Sequence, residues 1–76
     1  MIVDFINWCL QHNYPYEQGK NWCDCVDYTT FINFWVDGKV HTFYALDNGA
    51  FKLDNAIVND INDVERVLGL LYEKQD

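Results

Sequence analysis

The side chains best suited to chemistry in this chain are its three cysteines and two histidines. Cys9 and His12 are three positions apart, which is about one turn of a helix. Cys23 and Cys25 are two positions apart and would project from one face of a strand. Together they form a Cys₃His set of the kind that binds Zn²⁺ tetrahedrally. A disulfide from Cys9 to Cys23 or Cys25 is a second alternative, and three reduced thiols with no cofactor are the state we expect.

The sequence supports a catalytic site less well than it supports a zinc site. Neither His12 nor His41 is tied to a cysteine by a nucleophile signature. Asp60 and Asp63 lie near the start of a predicted C-terminal helix, where the positive end of the helix dipole explains them. The four glycines are scattered, and turns use most of them, so they form no phosphate-binding loop. We therefore predict that the protein is not an enzyme.

The charge of the chain narrows the kinds of partner. Twelve carboxylates against five Lys and Arg leave a net charge of −7. This disfavours nucleic acid and anionic membranes, which are polyanions, and favours a basic protein surface. No apolar run approaches the roughly 20 residues of a membrane span, and the opening MIVDF lacks the basic start of a signal peptide. We therefore expect a cytoplasmic protein.

The sequence predicts one α+β domain covering residues 1–76. Its length allows a single domain, and half of its residues are apolar, which is enough for a compact core. The α+β class follows from the helix and hairpin signals. Apolar side chains at helical spacing predict a first helix over residues 2–13. A second helix is predicted within residues 55–74. Its candidate N-cap residues are Asn59, Asp60 and Asn62.

Two hairpin signals lie between these helices. Asp37-Gly38 predicts a two-residue type I′ turn, which gives the pairs Val36–Lys39, Phe34–His41, Ile32–Phe43 and Thr30–Ala45. Asn48-Gly49 predicts a second turn of the same kind, which gives the pairs Asp47–Ala50, Leu46–Phe51 and Tyr44–Leu53. In series they predict a three-stranded antiparallel meander between two helices, an αβββα order.

This register gives the sheet two apolar faces. The face predicted to form the core under both helices holds Phe31, Trp35, Val40, Tyr44, Leu46, Phe51 and Leu53. The other face carries an apolar patch of Ile32, Phe34 and Phe43. The first helix or the loop 14–22 can cover this patch, or a second copy of the chain can pack on it. The third explanation, which we adopt, is a docking site for another protein, because contiguous exposed apolar patches mark interfaces.

Carboxylates form the rest of the predicted binding site. Strand residues two apart and helix residues three or four apart have spacings at which carboxylates can imitate a row of phosphates. The six candidates are Asp24, Asp27, Asp54, Asp60, Asp63 and Glu65. A solvated acidic face is the alternative explanation. The predicted partner-binding residues are these six carboxylates and the patch Ile32, Phe34 and Phe43.

The order of helix, three strands and helix resembles the double-stranded-RNA-binding domain over most of the chain. That family binds RNA through basic residues near its second helix. This chain has Asn59, Asp60 and Asp63 there, so it differs from the family where RNA would bind. The difference argues against direct nucleic-acid binding.

The acidic excess, the Asn-rich segments LDNAIVNDIND and DNGAF and the short aromatic-rich domain are similar to small acidic phage-encoded inhibitors, including anti-CRISPR proteins. This resemblance implies an inhibitor in the host-cell cytoplasm that occludes the basic nucleic-acid-binding surface of a defence enzyme, such as a CRISPR effector, or of another nucleic-acid enzyme. An acidic immunity protein against a nuclease toxin is one alternative. A homodimer formed through Ile32, Phe34 and Phe43 is the other.

Overall fold

A computed structural model describes residues 1–21 and 25–69. Its elements are α1 (Ile2–Gln11), β1 (Tyr16–Lys20), β2 (Tyr28–Val36), β3 (Lys39–Leu46), β4 (Phe51–Leu53), β5 (Ala56–Val58) and α2 (Ile61–Leu68). The five strands form one antiparallel sheet in the order β1-β2-β3-β4-β5. The α+β class is confirmed, but the sheet is larger than the predicted three-stranded meander.

The hairpin between β2 and β3 is formed as predicted. Asp37 and Gly38 have φ angles of 53° and 84°. A type I′ turn requires positive φ at both central residues. The register is the predicted one, with the pairs Val36–Lys39, Phe34–His41, Ile32–Phe43 and Thr30–Ala45. Local turn chemistry is therefore enough to define this hairpin.

The hairpin between β3 and β4 has a loop of three residues, one more than predicted. Gly49 has a positive φ of 89°, whereas Asn48 does not, so the pair cannot form a type I′ turn. The N–H of Leu46 donates to the carbonyl oxygen of Ala50 at 2.9 Å and closes the loop. The resulting pairs are Ala45–Phe51 and Phe43–Leu53. The predicted register of β4 is therefore wrong by one residue.

A one-residue shift moves the side chains of a strand to the opposite face of the sheet. The inner face, on which the helices pack, therefore includes Ile32, Phe34, Val36, Phe43, Phe51, Leu53 and Val58. The opposite, outer face includes Glu17, Gly19, Tyr28, Phe31, Asn33, Trp35, Val40, Thr42, Tyr44, Leu46, Lys52 and Ile57. The predicted assignment of Phe31, Trp35, Val40, Tyr44 and Leu46 to the core is wrong, because the core lies on the other side.

Helix α1 covers the inner face. Phe5 stacks on Phe43 with the ring centroids 4.2 Å apart and meets Phe34 edge-on at 5.0 Å. Ile32, Phe34 and Phe43 are 1%, 0% and 1% exposed. The prediction that these three side chains form a docking patch or a dimer seam is therefore wrong, because α1 occupies the surface that a partner would need.

Strands β1 and β5 extend the predicted sheet at its two edges. β1 follows Pro15 and has the polar sequence YEQGK, which suits an edge strand. The ring of Phe31 packs directly on the backbone of β1, since a Cβ added at Gly19 would lie 2.5 Å from Cζ of Phe31. β5 follows a turn in which Asp54 has a φ of 53°, and it pairs Val58 with Phe51.

Helix α2 begins with the predicted cap. The carboxylate of Asp60, the N-cap residue, accepts a hydrogen bond from the N–H of Asp63 at 2.9 Å. The helix ends before Gly69, whose φ of 80° is the usual left-handed helix terminus. The predicted continuation over residues 70–74 lies outside the described ranges. No helix within those ranges is long and apolar enough to cross a membrane.

Candidate functional site

The outer face of the sheet is the candidate site. The buried residues of the two helices, Phe5, Trp8, Cys9 and Val64, all belong to the inner-face core. Within residues 1–21 and 25–69, therefore, neither helix packs on the outer face. The aromatic side chains that the described residues contribute to this face, Tyr28, Phe31, Trp35 and Tyr44, are half-buried. Val40 and Ile57 on the same face are 56% and 58% exposed, so an apolar surface remains open to a partner.

Three of the aromatic rings form a connected group at one end of this face. Tyr28 lies 4.8 Å from Tyr44 and 6.1 Å from Phe31 between ring centroids, with the Phe31 ring perpendicular. The ammonium group of Lys52 lies over the Tyr44 ring, 4.7 Å from its centroid. Aromatic pairs and cation–π contacts of this kind hold rings in fixed orientations. The group is therefore positioned by contacts across β2, β3 and β4.

The centre of the outer face is polar but satisfied. The hydroxyl of Thr42 donates to the side-chain oxygen of Asn33 at 2.8 Å, between directly paired positions on β3 and β2. Glu17 pairs with Asn33 from β1, and its side chain is exposed. A partner that packs here can leave the Asn33–Thr42 bond intact, so binding does not require an unpaired buried polar group.

Sequence reasoning placed three of these aromatic side chains, Phe31, Trp35 and Tyr44, in the core. The available signal was the pair Asn33 and Thr42, which alternation puts on the same face as Phe31 and Tyr44. A buried sheet face rarely carries a polar pair at its centre. That pair indicates the solvent side more reliably than Lys52 does, because the face on which Lys52 lies depends on the register of β4.

Asp54 has a structural role, although its side chain is 44% exposed. Its Oδ2 lies 2.8 Å from Nδ1 of His41, and its Oδ1 accepts the N–H of Thr42 at 3.0 Å. The N–H of Asp54 in turn donates to the carbonyl of Thr42 at 2.9 Å. These contacts fasten the turn between β4 and β5 to β3. His41 and Asp54 form a pair without a nucleophile beside them in the described hydrogen bonds.

The predicted carboxylates on α2 are also engaged within the chain. Asp63 accepts the backbone N–H of Asn59 at 2.9 Å and bonds the guanidinium of Arg66. The Asn59 hydrogen bond first, and Arg66 second, hold the pKa of Asp63 below its ordinary value. Glu65 accepts the indole N–H of Trp8 at 3.1 Å, which joins α2 to α1. The structure therefore does not align these groups as a row of free carboxylates.

Asp27 is the predicted carboxylate that adjoins the outer face. It is exposed, as Asp60 is, and it directly precedes Tyr28 at the start of β2. The N–H of Asp47 donates to the carbonyl of Asp27 at 2.8 Å, which brings a second exposed acidic residue to the same end of the sheet. Asp24, the remaining predicted carboxylate, lies outside the described residues.

The predicted zinc set is not assembled. Cys9 is a free thiol on the buried side of α1 and has no exposed surface. His12 is exposed, and its Nδ1 lies 3.0 Å from the carbonyl oxygen of Trp8. Cys25 is disulfide-bonded, so the prediction of three reduced thiols is wrong, as is the prediction of a bridge from Cys9. Cys23 lies outside the described residues. Within the described ranges, no three His, Cys, Asp or Glu side chains are grouped to hold a metal ion.

No protein-family model, curated protein sequence or solved structure matches this chain.

Proposed function

We propose that this protein is a non-enzymatic inhibitor that docks on the basic nucleic-acid-binding surface of a host defence enzyme or another nucleic-acid enzyme. The observation that carries the proposal is the outer face, where aromatic side chains and exposed Val40 and Ile57 lie on the side of the sheet away from both described helices. Central aromatic residues are the side chains that most often dominate binding energy in protein interfaces. An anti-CRISPR-like role in a phage-infected cell is the form of this function that we favour.

The charge of the chain supports a basic partner. A net charge of −7 on 76 residues attracts a positively charged surface over long range and repels nucleic acid from the occupied site. Such steering acts mainly on the rate of association, and added salt screens it. Aromatic burial would then determine how long the complex lasts.

The proposed mechanism is occlusion. The outer face packs against the partner, while exposed carboxylates at its rim, including Asp27 and Asp47, face basic residues that otherwise contact phosphates. The enzyme keeps its catalytic groups but loses access to its substrate. Inhibition is therefore stoichiometric, and excess DNA or RNA competes with it.

The test begins with affinity capture from a bacterial lysate containing candidate nucleases and CRISPR effectors, washed at low and high salt. The captured enzyme is then purified and assayed with and without this protein. A matched pair of variants locates the surface. Val40→Lys changes a 56% exposed valine of the outer face, and Val3→Lys changes a 70% exposed valine of α1. Both variants change the net charge by the same amount, but only Val40→Lys sets a positive charge against the basic surface of the partner.

We expect Val40→Lys to abolish inhibition of the captured enzyme and Val3→Lys to retain it, with circular dichroism confirming that both variants fold. Capture should weaken with salt and with added nucleic acid. If both variants inhibit equally well, the outer face is not the docking surface. If no basic nucleic-acid-binding protein is inhibited, the proposed function is wrong.

A further inference from the structure

We propose that the outer face recognises arginine side chains of its partner, with a guanidinium group stacked on Tyr28 beside the carboxylates of Asp27 and Asp47. This inference rests on the proposed function, because it specifies the chemistry of a basic partner at the same face. It is narrower than that function, since a basic surface can also be bound through lysine ammonium groups or through overall charge alone.

The face already binds a cation of its own. The ammonium group of Lys52 lies 4.7 Å from the centroid of the Tyr44 ring. Attraction between a cation and the negative face of an aromatic ring is the cause of such contacts. Lys52 is on β4 and Tyr44 on β3, at directly paired positions, so the strand register holds this contact in place. The Tyr44 ring is thus accessible to a cation from the solvent side.

Tyr28 is the neighbouring ring on which a partner's cation can sit. Its centroid is 4.8 Å from that of Tyr44, with the two rings inclined by 53°. The hydrogen bond from the N–H of Asp47 to the carbonyl of Asp27 brings two exposed acidic residues together at this end of the sheet. A cation on Tyr28 would meet an aromatic ring at the end of the sheet that carries Asp27 and Asp47. Lys52 and Lys20, which pairs with Thr30, are basic residues near the same end. The net charge of −7 is the charge complementarity that selects a basic occupant over a second acidic copy of the chain.

The combination of ring and carboxylates favours arginine over lysine. A guanidinium is planar, stacks on an aromatic face and donates in parallel to carboxylate oxygens, whereas an ammonium is compact and more strongly hydrated. The ammonium group of Lys52 covers one face of the Tyr44 ring, so a cation of the partner has fewer rings to contact. The positive charge of Lys52 also repels that cation. The same arrangement predicts that removing the Lys52 charge strengthens binding of an arginine peptide.

The experiment uses the full chain and three matched peptides of alternating glycine with arginine, lysine or citrulline. Binding is followed by NMR chemical-shift titration at low salt. We expect the arginine peptide to bind roughly three-fold more tightly than the lysine peptide, with the citrulline peptide weakest. The largest shifts should fall on Tyr28, Tyr44 and their neighbours.

Variants separate stacking from general charge. Tyr28→Phe keeps a ring and should retain the preference for arginine, whereas Tyr28→Leu should remove it. Leu10→Ser, at a 58% exposed position on α1, is the control away from the sheet. Lys52→Met should raise affinity for the arginine peptide several-fold, and it provides a second test if Tyr28→Leu does not fold.

Several results would overturn the inference. Equal affinity for arginine and lysine peptides would show that charge alone binds, and would leave the proposed inhibitor function standing. The same conclusion follows if Tyr28→Leu keeps the arginine preference. Stronger binding of a single-stranded oligonucleotide at the same resonances, or a dimer in sedimentation that Tyr28→Leu dissociates, would give the face a different occupant. Failure of the proposed function itself would appear instead as a lack of inhibition in the capture assay.

Discussion

Replacing two consecutive residues of β3 by leucine tests which face of the sheet is the core. Phe43 points to the inner face and is 1% exposed, whereas Tyr44 points to the outer face and is half-buried. Phe43→Leu and Tyr44→Leu introduce the same side chain into the same strand, so differences in strand propensity are small. We expect Phe43→Leu to be the more destabilising by at least about 1 kcal/mol.

The magnitude follows from the contacts that each ring makes. Phe43 stacks on Phe5 at 4.2 Å and on Phe51 at 5.6 Å. Such pairs contribute about 0.5–1.5 kcal/mol each beyond the area they bury, so Phe43→Leu should cost about 2 kcal/mol. Tyr44→Leu loses the ring pair with Tyr28, which contributes about 0.5–1.5 kcal/mol, and an exposed cation–π contact with Lys52, which contributes about 0.5–1 kcal/mol. Both contacts lie on the solvent side of the sheet, where leucine and water replace them in part, so the loss should stay near or below about 1 kcal/mol.

Urea unfolding followed by circular dichroism measures both losses. The core of so small a domain supplies roughly 3–5 kcal/mol, so Phe43→Leu should remove about half of the free energy of unfolding. The midpoint of thermal unfolding should fall by roughly 10 °C. Equal slopes of free energy against urea would show that both variants unfold from the same kind of native state. If Tyr44→Leu is as destabilising as Phe43→Leu, the assignment of inner and outer faces is wrong.

Two further predictions concern single polar groups. Burial raises the pKa of Cys9 from 9.0 to about 11, so the folded chain retains this proton where the unfolded chain releases it. The protonated Cys9 thiol therefore contributes fully to stability below pH 9, and this contribution is lost as the pH rises towards 11. Between these pH values, the free energy of unfolding measured in urea should decline less steeply for Cys9→Ala than for the unchanged chain. Asp60→Ala should lower the free energy of unfolding by about 1 kcal/mol, because it removes the N-cap bond to Asp63, while Asp60→Asn should retain most of it. Comparable losses in the two Asp60 variants would contradict the capping role.

The two hairpins show what local sequence can predict. At Asp37-Gly38 both residues adopt positive φ, and a two-residue loop follows directly from their chemistry. At Asn48-Gly49 the same dipeptide chemistry is compatible with a two-residue or a three-residue loop. The longer loop places Phe51 against Phe43 on the inner face, a contact between strands that no local pattern contains. The choice between the loops is therefore made by packing.

The added strands could not be predicted for a related reason. β1 is polar and contains Gly19, which ordinarily weakens a strand. It is held by its pairing with β2 and by the Phe31 ring that packs on Gly19. β5 has only three residues and depends on the turn at Asp54 and on Val58 entering the core. β1 needs a partner that is distant in sequence, whereas β5 pairs with the adjacent β4 but is too short for periodicity to reveal it.

The candidate site was the part most sensitive to register. The segment FINFW is apolar on both faces, so either face of β2 can form the core. The one-residue difference in β4 decides the matter, because it adds Phe51 and Leu53 to the side of Phe34 and Phe43. The sequence therefore predicts that one apolar face of the sheet lies outside the core, but it does not show which of the two faces this is.

Several of the predicted binding carboxylates have structural roles within the chain. Asp54 holds a turn to β3, Asp60 caps α2, Asp63 bonds Asn59 and Arg66, and Glu65 joins α2 to Trp8. Each of these four carboxylates therefore has a role within the fold. We propose that a partner is attracted by the net charge of −7 rather than by imitation of a nucleic-acid backbone. The binding specificity of the proposed inhibitor must then come from the aromatic outer face and from the few exposed carboxylates beside it.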